Sequence, residues 1–105
     1  MTKPIFDEWA LIRKNLHIAF EQRDNHAQQS MKEAIMLFEK LLVQVSCIDK
    51  FECNDLKQYE VLPLNGVERY AFIAKNPIHF ASFRQLDELF DETNKKIARL
   101  RIKYK

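Results

Sequence analysis

Apolar residues recur every three or four positions near the start of the chain, at Ile5, Trp9, Ile12, Leu16 and Ala19, with Phe6 and Phe20 widening the stripe. That spacing keeps one side of a helix apolar and predicts a helix from Pro4 to Gln22. Proline suits a first helical turn, and Asp7 and Glu8 suit the positive end of the helix dipole. Arg23 to Gln29 is polar apart from Ala27 and reads as a loop. Ser30-Met31-Lys32-Glu33 then has the form of a capping box, serine bonding an amide ahead and glutamate reaching back. Behind it Met31, Ala34, Ile35, Phe38, Leu41, Leu42 and Val45 line a second apolar face to about Cys47.

In the middle of the chain, Asp49 and Glu52 could cap a short helix bearing Phe51, Leu56 and Tyr59. Across residues 59–75 two readings compete. Asn65-Gly66 between apolar runs is a strong hairpin signal. Against it, Pro63 would fall inside the first strand, and no third strand is at hand to support a lone ribbon. The favoured reading is a helix capped by Asn65, with Glu68 at its third position and Val67, Tyr70, Ile73 and Ala74 on one side. Asn76-Pro77 closes that element and opens the last, asparagine as cap and proline as first helical residue. From there Phe83, Leu86, Phe90, Thr93, Ile97, Leu100 and Tyr104 keep an unbroken three-four alternation, the clearest periodic signal in the chain.

These stripes predict an all-α fold, a compact bundle of four to five helices with a long C-terminal helix, in one domain spanning residues 1–105. Composition agrees with this. With 105 residues, 47% hydrophobic and 30% charged, the chain is globular in character and sized for a single core. One glycine and three prolines leave few tight turns, where an all-β domain needs one about every ten residues. Cys47 and Cys53 match no zinc-ligand or CxxC spacing and read as reduced thiols. No stretch approaches the roughly 18 apolar residues of a membrane span, and the acidic N-terminal residues do not resemble a signal peptide. The expected location is the cytoplasm.

Leu62-Pro63-Leu64-Asn65, Glu68-Arg69, Phe72-Ile73, Pro77, His79, Phe83, Gln85-Leu86 and Leu89-Phe90 form a pattern running into a lysine-rich helix. It resembles the YpoC-like proteins of low-GC Gram-positive bacteria, most closely over residues 62–98, with an echo in Trp9, Arg13 and Ser30-Met31. That family has no established biochemical activity, so the resemblance implies no catalytic residue. Its residues are mostly apolar or capping types, as a shared fold would require.

The chemistry-bearing residues form no catalytic constellation. Asp87-Glu88 and Asp91-Glu92 bring carboxylates together at helical spacing, but no Glu-x-x-His accompanies them for a two-metal site. Lys95 and Lys96 follow Asp91 and Glu92 by four residues, which reads as a salt-bridged, solvated face. His17 flanks the first stripe, His26 lies in the polar loop, and His79 is expected to be half-buried at the core edge. They share no helix face. Ser30, Ser46 and Ser82 lie in no nucleophile setting, and Gly66, the single glycine, makes no phosphate loop. No metal, cofactor or enzymatic activity is expected.

Charge is distributed unevenly. Residues 95–105 hold Lys95, Lys96, Arg99, Arg101, Lys103 and Lys105 and no acid, whereas residues 1–94 carry eleven cations against fifteen acids. Helix-dipole complementarity accounts for two or three of these cations. A helix from Pro77 to Tyr104 would run about 42 Å, beyond the roughly 33 Å diameter of a compact domain this size. Its end would then present Ile97, Leu100, Ile102 and Tyr104 inside a positive rim. The expected function is non-catalytic binding or scaffolding of a protein partner through this end, by a monomer or weak homodimer. Binding of nucleic-acid phosphates by the same cations is the alternative.

Overall fold

The computed structural model describes residues 3–23, 25–46 and 65–103. Among them are four helices: α1 (Lys3–Glu21), α2 (His26–Ser46), α3 (Gly66–Lys75) and α4 (Phe80–Lys103). The short helix expected around Asp49 to Tyr59 lies outside the described residues. Residues 66–75 are helical, so the hairpin reading of Asn65-Gly66 does not hold.

α1 packs chiefly on α2, and α3 on α4. Only four residues separate Glu21 from His26 and Lys75 from Phe80, links short enough to make each pair an antiparallel hairpin. The aromatic contacts fix how the pairs meet. Phe6 and Trp9 touch Phe90, His17 touches Phe83, and Phe20 touches both Phe80 and Phe83. Contacts therefore descend α4 as they ascend α1, and these two helices are antiparallel. Phe90 sits at the centre, stacked on Trp9 at 4.2 Å and edge-on to Phe38 of α2 at 5.1 Å. Around it Leu16, Met31, Leu41, Leu42, Ile73, Leu86 and Leu89 are fully enclosed in one core cluster. Most positions of the predicted stripes lie on these buried faces; Ala74, expected on the apolar side of α3, is exposed, Ile12, Ile35 and Val67 are half-buried, and the side chains of Val45, Leu100 and Tyr104 lie outside the described ones.

Helix boundaries depart from expectation where tertiary contacts supply the signal. α2 begins at His26, so Ser30 lies inside the helix and not at its cap. Ala27, buried at the joint, holds the extra turn against the body. α1 starts at Lys3, which moves Asp7 and Glu8 out of a first turn that contains no acid. The turn after α1 closes with Arg23 left-handed at φ 54°, its amide donating to the Phe20 carbonyl at 3.2 Å.

Asn65 is likewise left-handed, φ 59° and ψ 22°, and makes no side-chain cap. Asparagine tolerates that conformation better than other β-carbon residues. Asn-Gly thus keeps half of its hairpin geometry, but Gly66 is helical and buried, and the Arg69 amide bonds the Asn65 carbonyl at 2.9 Å.

At the other junction Pro77 is not the first residue of α4. Asn76 ends α3, its side-chain amide donating to the Phe72 carbonyl at 3.1 Å. The Asn76 carbonyl then accepts from the His79 amide at 3.2 Å and from the hydroxyl of buried Ser82. His79 is consequently exposed in the turn and not at the core edge, because the helical rows begin only at Phe80.

The molecule measures 45 × 27 × 23 Å, with a radius of gyration of 13.6 Å. α4, 24 residues and so about 36 Å long, is shorter than that long axis, and Ile97 is 3% exposed, a core residue and not part of an outlying row.

Candidate functional site

α4 carries three carboxylates that bridge to other helices. Its first carboxylate, Asp87, accepts from Arg13 Nε of α1 at 2.7 Å. That hydrogen bond, with the charge attraction behind it, raises the Arg13 guanidinium above its ordinary pKa. Arg69 of α3 lies across three successive rows of α4. Its Nε donates to Gln85 Oε1 at 3.1 Å, and its Nη2 donates to Glu88 at 3.3 Å and to Glu92 at 2.7 Å. The Arg69 side chain is 16% exposed, so the planar guanidinium is held with its donors directed. Tyr70, the next residue, turns into the core and donates its hydroxyl to Glu39 of α2. Two adjacent residues of α3 thus tie it to both long neighbours.

The predicted ion pair between Asp91 and Lys95 is present at 3.0 Å, with both side chains mostly exposed. Glu92 also reaches across to Arg69 of α3 at 2.7 Å. Interhelical pairing was not evident from spacing along one helix. The available signal was that Arg69 and Gln85, now partners, both belong to the pattern that carries the family resemblance. Asn65, Phe83, Leu86 and Phe90 of that pattern serve as helix entry or core.

Of the basic end, Lys95 and Arg99 are exposed one turn apart and Lys96 is half-buried. α4 stays helical through Arg101, Ile102 and Lys103, whose side chains lie outside the described ones. Tyr104 and Lys105 lie outside the described residues altogether. His17, His26 and His79 are exposed and separate, and no group of three or more metal-ligand side chains is gathered among the described residues.

Three surface grooves follow the helix junctions. One of about 460 Å³ between α1 and α4 is lined by Phe6, Trp9, Phe90 and Asn94, with the Arg13–Asp87 pair in its wall. Another of about 370 Å³ lies between α1 and α2, beside exposed Met36. A third, about 310 Å³, lies at the bundle end and is lined by Phe20, Arg23, Ala27 and Ile78.

A small antiparallel helical bundle, stapled by an arginine across its last helix, is the class these features define. The chain belongs to the YpoC-like protein family, whose profile it matches over residues 1–105. Neither a curated protein nor a solved structure matches it. No helix among the described residues is long and apolar enough to cross a membrane.

Proposed function

We propose that the chain is a non-catalytic binding module of the cytoplasm, docking an acidic protein partner through the basic end of α4. One observation carries this reading. The acids of α4 are engaged with Arg13, Arg69 and Lys95, whereas the helix continues to Lys103 with no acid after Glu92. Arg99 is exposed there, and Arg101 and Lys103 follow on the same helix. A positive helix end on an otherwise acidic chain, with eleven cations against fifteen acids over residues 1–94, is suited to steering and orienting an acidic surface.

The test is a charge reversal, Arg99→Glu with Arg101→Glu and Lys103→Glu, compared with the unaltered chain in capture from native cytoplasm. The partner is expected to be lost while the melting temperature holds within a few degrees. Retention of the partner would reject the reading. Salt separates the alternative: binding to duplex DNA or RNA through these cations would weaken steeply between low and physiological salt, a mixed apolar protein interface much less.

A further inference from the structure

Asn65-Gly66, at the entry to α3, carries a chemistry that the fold does not use. A glycine after asparagine has no β-carbon to shield its amide nitrogen, which can then reach the carbonyl carbon of the asparagine side chain. Every other asparagine (Asn15, Asn25, Asn54, Asn76 and Asn94) is followed by a residue with a side chain, and Asn76 by a proline that has no amide hydrogen. Asn65 is also exposed and makes no side-chain cap. Gly66 is the first residue of α3, so its amide has no intrahelical acceptor.

The backbone holds these two groups apart. A cyclic imide needs the Asn65 Cβ and the Gly66 nitrogen on the same side of the Asn65 Cα–C bond. At φ 59° and ψ 22° they lie on nearly opposite sides. Turning ψ to close the ring swings away the Asn65 carbonyl, which accepts from the Arg69 amide at 2.9 Å, and lifts buried Gly66 out of the helix. The side chains that follow resist this. Arg69 is bound to Gln85, Glu88 and Glu92 of α4, and Tyr70 to Glu39 of α2. The first turn of α3 therefore opens only against these ties.

We propose that Asn65 is a site of spontaneous deamidation whose rate is set by the opening of the first turn of α3. The Gly66 nitrogen attacks the side-chain carbonyl carbon of Asn65 and forms a new C–N bond. The side-chain nitrogen leaves as ammonia, and the proton lost from Gly66 leaves with it. Water then opens the imide at either carbonyl, giving aspartate or isoaspartate, so water is the only co-reactant. Aspartate keeps the main chain and places a carboxylate at the positive end of α3. Isoaspartate carries the main chain through Cβ, which displaces the carbonyl that the Arg69 amide uses and loosens the entry to α3.

The full chain, incubated in mildly alkaline buffer with and without unfolding urea, is followed by ammonia release and by peptide mapping that separates asparagine, aspartate and isoaspartate. Position 65 is expected to convert ahead of every other asparagine in both arms. The native chain is expected to react more than about tenfold slower than the unfolded one, as gating by local opening requires. Arg69→Ala, checked for helicity by circular dichroism, is expected to raise the native rate about tenfold and leave the unfolded rate unchanged. Urea below the unfolding transition, added to the unaltered chain, is expected to raise the native rate as well. Earlier conversion at another asparagine, or no conversion of the native chain while the unfolded chain reacts, would overturn the proposal. Equal native and unfolded rates, or a native rate indifferent to both Arg69→Ala and mild urea, would do the same.

Discussion

The Trp9 indole lies flat on the Phe90 ring, centroids 4.2 Å apart and planes 12° from parallel. Phe90 also receives Phe38 and Phe6 edge-on, at interplanar angles of 75° and 79°. One ring thus joins α1, α2 and α4, and the hairpins lock together through it.

Phe90→Ala should therefore cost about 3–5 kcal/mol, the range for a large aromatic removed from a packed core. Urea denaturation followed by Trp9 fluorescence measures it, and the folded-state emission should shift because the indole loses its stacking partner. A loss under about 1 kcal/mol would mean that the ring is not central.

Thr93 is fully buried on α4, and its hydroxyl has no hydrogen-bond partner. An orphaned buried hydroxyl forfeits its hydration without return. Thr93→Val keeps the shape and removes the polar atom, so the urea midpoint should rise by an amount equivalent to about 1 kcal/mol. A fall would show that the hydroxyl is satisfied in solution.

Arg69 and Arg13 provide a contrast. Arg69 is 16% exposed and reaches three side chains, whereas Arg13 is 56% exposed with one carboxylate partner. Arg69→Ala should destabilise by about 1.5–2 kcal/mol, and Arg13→Ala by about 0.5 kcal/mol or less after solvent screening. Added salt should shrink the Arg13 effect more. Equal losses would show that α3 is not clamped through Arg69.

At Asn65 the left-handed backbone sets the outcome. Asn65→Gly should leave stability within a few tenths of a kcal/mol, and Asn65→Val should cost about 1 kcal/mol or more, since a β-branched residue resists positive φ. Thermal melts of the two variants decide this. Tolerance of valine would argue for a different entry into α3.

Some of this was legible residue by residue. Leu16, Phe38, Ile73, Leu86 and Ile97 announce their burial because helical periodicity is local, and an apolar stripe must face something apolar wherever the helix goes. All-α character and the existence and approximate span of α1, α3 and α4 follow from that, as does the Asp91–Lys95 pair, which depends only on rise and turn. Tertiary structure decided what depends on the azimuth and register of one helix against another. Glu92 meets Arg69, Asp87 meets Arg13, and Tyr70 finds Glu39 because the hairpins are docked through Phe90, information held in no single segment. The same docking buries Ala27, drawing a polar stretch into α2, and leaves His79 outside the rows of α4. A stripe is a property of one helix, and a partner across a bundle is fixed only when two stripes close on each other.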